Sequence, residues 1–246
     1  MCTLSFMPGT NGFHLAMNRD EQRTRAQALP PAVHRCGNHR ALYPSEPSGG
    51  TWIGINEEGI ALALINWYSK PQLKAAPAFS RGAIIPRILT ADLSGNAEGL
   101  IRELPMERLN PFRLIMICLK EQTVREFQSD SVTLSEIPHS WETNHWFSSG
   151  FEEPQVEIIR ARTCAEMIRD SATDSPQAPK ILRNLHRSHA PEKGPYSICM
   201  HREDACTVSF TEMIINNSKA AMSYHEGTPC AESVEYDMTL SLTNGL

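Results

Sequence analysis

Two short stretches near the start of the chain carry the residue types of acyl-transfer chemistry: Met1-Cys2-Thr3 and Asn18-Arg19-Asp20-Glu21. An initiator methionine tends to be trimmed when a small side chain follows it, which leaves Cys2 as the first residue. That residue then offers a thiol with a reference pKa of about 8.5 and an α-amino group of about 7.7–8.0, both close to neutrality. The amine can serve as the base for its own thiol. A thiolate attacking an acyl carbon needs hydrogen-bond donors at the developing oxyanion, a task suited to a neutral Asn side chain or a backbone N–H. Each such donor is commonly worth about 2.7–4 kcal/mol in the transition state. A buried carboxylate beside the amine would orient it and favour its protonated form, and Asp20 is the candidate.

The elements that must position these groups follow from periodicity. Alternating apolar residues in Thr3 to Phe6, a turn over Pro8-Gly9-Thr10-Asn11-Gly12 and a second run from Phe13 to Asn18 predict a β-hairpin, so that Cys2 is held in a sheet. Arg23 to Ser48, with Pro30, Pro31, Pro44 and Pro47, reads as a long surface excursion of the kind that covers a reactive site. Strands are expected at Trp52–Asn56 and Ile60–Trp67, joined by a Glu-Glu-Gly turn, the second buried on both faces, with Trp52 a core aromatic. Ser80 to Leu104 reads as helical, with Pro86 tolerated in the first turn. Strands follow at Phe112–Leu119 and Thr123–Gln128. An amphipathic helix is expected over Pro154–Arg169, with Val156, Ile159, Thr163 and Met167 along one side, then a short helix over Pro179–Arg187. Tyr196–Met200, Cys206–Ile215, Ala220–Tyr224 and Glu235–Leu242 close the chain as strands. Segregated blocks of strands and helices predict an α+β fold of antiparallel sheets covered by helices. With 246 residues, one domain over 1–246 is the expectation.

Composition narrows the partners. A formal net charge of -5 provides no basic field for nucleic acid, which favours small or neutral partners. Nothing approaches eighteen consecutive apolar residues, and no secretory pattern opens the chain, so no transmembrane segment and a cytoplasmic location are expected. The 7 cysteines are an odd number without a CxxC pair, which argues against a disulfide framework or a zinc ribbon. Cys118 and Cys164 read as small core hydrophobes. Cys36-Gly37-Asn38-His39 is half of a metal pattern with no second pair at finger spacing, so no metal is assigned.

Three groups of residues carry a family resemblance: MCT at the start, the literal Asn18-Arg19-Asp20-Glu21, and GGTWIGI followed by Asn66. Together they resemble the NRDE family, whose eukaryotic member is called transport and Golgi organisation protein 2, most specifically over about the first seventy residues. Weaker likeness extends through Ser80 to Leu89 and ACTVSFTEM. The first segment, with GINEEGIALALIN, is also similar to the N-terminal-nucleophile (Ntn) cysteine hydrolases that include choloylglycine hydrolases and penicillin V acylases. That resemblance implies a four-layer αββα sandwich with the cysteine at the end of a central strand. Carried over residue by residue, it implies that Cys2 is the nucleophile, Asp20 the carboxylate of the second strand and Asn66 the oxyanion-hole asparagine. Asn18, Arg19 and Ser149 are supporting candidates.

Two departures stand out. Where the hydrolases place an arginine three positions before the aspartate, this chain has Met17; Arg19 adjoins Asp20 and, in a regular strand, points to the opposite face. Where they supply a second asparagine, the nearest stretch here is Phe147-Ser148-Ser149-Gly150, in which Ser149 offers one hydrogen bond at most.

The resemblance implies an Ntn-type amidohydrolase or acyltransferase-like protein acting on a linear amide or acyl substrate, with no cofactor required. The competing expectation is a non-catalytic carrier on the same fold that binds haem or a lipid-like molecule, since members of the NRDE family have been linked to haem movement. His186, His189 and His201 are the candidate haem ligands for that reading, although no CxxCH or paired histidine spacing marks them.

Overall fold

The computed structural model describes residues 2–73, 79–168 and 177–243. Its class is α+β, with two antiparallel sheets, six- and seven-stranded. The chain divides into two compact units, one of residues 1–25, 142–216 and 222–237, the other of residues 26–141, 217–221 and 238–246.

The first unit is built on the N-terminal hairpin. Strands β1 (Cys2–Gly9) and β2 (Gly12–Gln22) pair from Cys2↔Arg19 to Gly9↔Gly12, leaving Thr10-Asn11 as a two-residue loop. Gly12 sits where β11 (Ala205–Asn216) comes close, and a Cβ there would collide with the Ile215 carbonyl oxygen. β10 (Asn144–Ser148) covers the other edge of β1, and the sheet runs β10-β1-β2-β11-β12-β13, ending with β12 (Lys219–Glu226) and β13 (Glu235–Ser241). One face is covered by helices α3 (Glu153–Ile168) and α4 (Ala178–His186), where Met7, Ala16, Phe147 and Phe210 of the sheet meet Cys164, Leu182 and Leu185. Burying each of the larger side chains contributes about 1.5–3 kcal/mol.

The second unit holds the sheet β3 to β9 in chain order: β3 (Leu29–Cys36), β4 (His39–Ser45), β5 (Ile53–Asn56), β6 (Ile60–Asn66), β7 (Phe112–Cys118), β8 (Thr123–Ser129) and β9 (Leu134–His139). Period-2 alternation turns Leu62, Leu64, Leu114 and Met116 toward the short helices α1 (Ile84–Ile88) and α2 (Ser94–Arg102). Ala61, Ala63, Ile115 and Ile117, which alternate with them, are also fully buried, as an unbroken apolar strand predicts. Trp52 is buried.

Several expectations need correction. The excursion expected over Arg23–Ser48 is mostly a hairpin, β3 and β4. Pro30 and Pro31 are tolerated because β3 is the edge strand, with an irregular register between Leu29 and Ala32, and Pro44 of β4 falls beyond the last pair with β5, Leu42↔Ile55. The helical stretch from Ser80 breaks between α1 and α2, with Pro86 in the first turn of α1 as anticipated. Tyr196–Met200 forms no strand. In α3 the buried face is Val156, Arg160, Thr163 and Cys164, whereas Met167 is exposed. Arg169, the last residue of the expected helix, lies outside the described residues. Among the described residues, no helix is long and apolar enough to cross a membrane.

The contrast between two glycines gives a test. Gly12→Ala should destabilise the chain by about 1–3 kcal/mol through backbone displacement. Gly99→Ala, exposed inside α2 with open space around it, should stabilise by roughly 0.5–1 kcal/mol. Urea unfolding midpoints of the two variants check both signs.

Candidate active site

Strand pairing decides which side chains meet Cys2. Directly opposed residues of antiparallel strands share a face, and the register runs Ser148↔Cys2↔Arg19↔Ser209 across β10, β1, β2 and β11. The thiol therefore lies in a row with two hydroxyls and a guanidinium. Cys2, Ser148 and Ser209 are nearly or fully buried, and among the described residues the Ser148 hydroxyl has no hydrogen-bond partner. Arg19 is 3.6 Å from Glu21, its neighbour two residues along the same face. Burial pushes the Cys2 thiol pKa up and Asp20 adds to the rise, while the chain's terminal ammonium, Arg19 and a hydrogen bond from the Asp20 amide pull it down. The balance leaves the thiol protonated at neutral pH.

Asp20 belongs to the opposite, helix-covered face. It is 1% exposed, and a bare carboxylate there would be costly. Arg160 of α3 answers it with both terminal nitrogens at 3.3 Å, and the Thr207 hydroxyl donates at 2.6 Å. Arg160 also donates to Thr3 Oγ1 at 2.8 Å, so one guanidinium joins β1, β2 and the helix. A bulge in β11 makes the two rows compatible. Thr207 pairs with Asp20 and Ser209 with Arg19, so the extra residue, Val208, lets β11 serve successive residues of β2.

Asn18 shares the face of Asp20. Its side-chain amide donates to the carbonyls of His186 and Ile198, both at 2.9 Å, and so pins the end of α4 and the segment before β11 to the central strand. One turn of sheet further on, the Ser5 hydroxyl lies 2.9 Å from both His145 Nδ1 and His186 Nε2. Burial lowers these histidines to about 4 and about 3, respectively, so both are neutral.

The remaining candidates make local contacts. Ser149 gives its proton to the Phe151 carbonyl at 2.7 Å, and its amide donates to Glu153 at the start of α3. Asn66, at the end of β6 in the second unit, donates to the Tyr68 hydroxyl at 2.7 Å. Of the histidines considered for haem, His186 is fully buried against Ser5, while His189 and His201 face each other. Cys36 contacts the Tyr43 hydroxyl.

Sequence reasoning missed Arg160 and Ser148. Arg160 falls at the i+4 position from Val156 on the buried face of α3, an apolar stripe position where a cation is unexpected unless a buried acid awaits it. Ser148 was passed over for its neighbour Ser149 because β10 is short and lacks alternation, so its pairing with Cys2 had no sequence signal.

A shallow cavity of about 360 Å³ opens on the helix side, lined by His145, Phe147, Ala161, Cys164, Ala165 and Ile168 among others. It lies on the face of the sheet away from Cys2.

The profile of the family described as Transport and Golgi organisation 2 matches residues 1–232. No curated protein matches the chain significantly. Among solved structures, a mutant of the conjugated bile acid hydrolase from Clostridium perfringens superposes with a TM-score of 0.56 at 10% identity, covering 99% of this chain and 98% of that one. Penicillin V acylase from Agrobacterium tumefaciens also gives 0.56 at 10% identity, over 97% and 86%. Both show that the Ntn-hydrolase fold is shared.

Breaking the Asp20–Arg160 pair from one side should be costly. Arg160→Leu is expected to destabilise by about 3–5 kcal/mol because it strands a buried carboxylate. Asp20→Asn in the same background should recover at least about 1 kcal/mol of coupling in a double-mutant cycle. The histidines predict a pH effect. Each binds protons more weakly folded than unfolded, where the pKa is about 6.5, so stability falls as pH drops from about 6.5 toward 4. His186→Gln should flatten that fall, measured as the urea midpoint between pH 7 and pH 5.

Proposed function

For a chain that belongs to the Transport and Golgi organisation 2 family, we propose the activity of an Ntn-type cysteine hydrolase or acyltransferase acting on a linear amide or acyl substrate. The observation that carries this reading is the buried Cys2 thiol. It accepts the Asp20 amide, stands in register with Arg19 and an unpartnered Ser148 hydroxyl, and adjoins an aspartate fixed from two sides. The fold shared with a conjugated bile acid hydrolase and a penicillin V acylase supports it.

In the proposed reaction, removal of Met1 puts the free amine on Cys2. The amine takes the thiol proton, and the thiolate forms a C–S bond to the substrate carbonyl carbon. Collapse of the tetrahedral intermediate breaks the C–N bond, with the ammonium returning its proton to the leaving amine. Water, deprotonated by the same amine, then releases the acid and regenerates the thiol; an acceptor amine in its place would give acyl transfer. Asp20 orients the ammonium, and Arg19 favours the thiolate. Ser148 is proposed as an oxyanion donor. Asn66 enters as a second donor by sequence resemblance alone.

The carrier is the second reading, and the helix-side cavity is the observation that favours it. At about 360 Å³ it has the size of a small-ligand site. The two readings put the ligand on different faces of the sheet, and one experiment separates them. Protein with a native N-terminus, protein with an added residue before Cys2 and Cys2→Ala are assayed on a panel of acyl amides, and each is titrated with haem and with a long-chain fatty acid. The hydrolase reading expects turnover only by the first, with a loss of at least about a hundredfold in the others. No turnover by any of them, with a ligand affinity abolished by Ala165→Phe and unaffected by Cys2→Ala, would replace it with the carrier.

A further inference from the structure

Four side chains outside the Cys2 centre converge from three separate loops. His189 follows α4, Cys199 and His201 lie in the extended segment before β11, and Cys230 lies in the turn between β12 and β13. Their ligand atoms all lie within 4.8 Å of one another. His201 Nε2 is the hub: His189 Nε2 is 3.2 Å away, Cys199 Sγ 3.5 Å and Cys230 Sγ 3.4 Å.

Hydrogen bonding accounts for this arrangement only in part: Cys199 and Cys230 hydrogen-bond each other, which leaves the contacts on His201 to explain. A neutral imidazole nitrogen either donates one proton or offers one lone pair, so His201 Nε2 can satisfy one of its three close neighbours. A cation at the centre satisfies all four groups together. The distances also have the right scale. A tetrahedral zinc with bonds of about 2.0–2.1 Å to nitrogen and about 2.3 Å to sulfur places nitrogen pairs about 3.3 Å apart and nitrogen–sulfur pairs about 3.6 Å apart. The three contacts lie within a few tenths of an ångström of those edges.

We propose that His189, Cys199, His201 and Cys230 form a tetrahedral N2S2 site for a zinc-class divalent cation. Two imidazoles and two thiolates suit a borderline-soft ion in tetrahedral geometry. Binding forms two metal–nitrogen and two metal–sulfur bonds, and the two thiols give up their protons to solvent. A divalent ion with two thiolates is neutral overall, which suits a position where Cys199 is buried. Four protein ligands leave no open position, so the site is structural.

The backbone holds the site ready. Cys199 N donates to Ser188 O at 3.0 Å and His201 N to Gly194 O at 3.1 Å, while Gly227 N donates to Val208 O at 2.9 Å just before the Cys230 turn. Met200, between two of the ligands, is buried. Its amide donates to Thr207 Oγ1 at 2.9 Å, the same hydroxyl that donates to Asp20. The metal thus fastens the loop that completes the Asp20 cradle, and it positions that carboxylate without touching it. The spacing H-x9-C-x-H-x28-C matches no finger pattern, which is why a search for paired CxxC motifs passes over it.

The test uses the full chain produced under reducing conditions. Elemental analysis should find one zinc per chain, and cobalt exchanged into the chelated protein should show tetrahedral ligand-field bands with sulfur-to-metal charge transfer. Cys230→Ser, an exposed position expected to fold, and His189→Ala should lose both signals, whereas Cys36→Ser should keep them. Zinc should raise the Tm of the parent and leave that of Cys230→Ser unchanged. Absence of stoichiometric metal after reconstitution, retention of a full equivalent by Cys230→Ser, or a Cys199–Cys230 disulfide in protein from a reducing cytosol would overturn the proposal.

Discussion

A carboxylate cannot remain charged in a dry interior without a partner, and the first unit is arranged around meeting that demand at Asp20. Its partner comes from sequence-distant α3, and the same Arg160 guanidinium reaches Thr3. The position of the helix, the pairing of β1 with β2 and the approach of β11 through Thr207 are therefore one linked set of contacts. An ion pair so deeply buried adds little net stability over a well-packed apolar pair of similar volume. What it supplies is definition: few placements of α3 bring a fork of donors onto both Asp20 and Thr3.

Strand alternation then divides the labour. Successive residues of β2 serve different sides of the sheet, so Arg19 accompanies the thiol and Asp20 faces the helices, and the two sides communicate through backbone. The Asp20 amide reaches Cys2 while its carboxylate is gripped from below. The β11 bulge is the local irregularity that lets Thr207 and Ser209 address both sides. Position 17, where the hydrolases it resembles carry an arginine, is a fully buried methionine here; positive charge arrives from Arg19 on one face and Arg160 on the other.

What the sequence revealed follows the range of each signal. The hairpin, the buried β6, β7, β8, α3 and α4 were legible because periodicity and turn residues act within a dozen positions. The α+β class and the membership of Cys2, Asn18, Arg19 and Asp20 in one neighbourhood were legible for the same reason. β3, β4, β9 and β10 were not, since prolines and short polar runs mimic loop; for β3, β9 and β10 it is the edge position that makes them tolerable as strands. Arg160 and Ser148 were out of reach because their meaning lies in partners more than a hundred residues away. The cluster around His201 was equally hidden, since three loops supply its members.

The raised thiol pKa has a further consequence. Burial makes Cys2 a poor thiolate in the chain as translated, with Met1 holding the terminal ammonium one residue away. Coulomb attraction grows as separation shrinks, and more so where water is excluded. Trimming Met1 would therefore move the strongest thiolate-favouring charge from the neighbouring residue onto Cys2 itself, with Asp20 already fixed nearby to hold it. In the proposed hydrolase reading, the charge is the one element still to be added, and a single proteolytic cut would supply it. In that reading, burial in the assembled sheet would keep the thiol protonated, and so slow to oxidise or alkylate, until its own amine is uncovered.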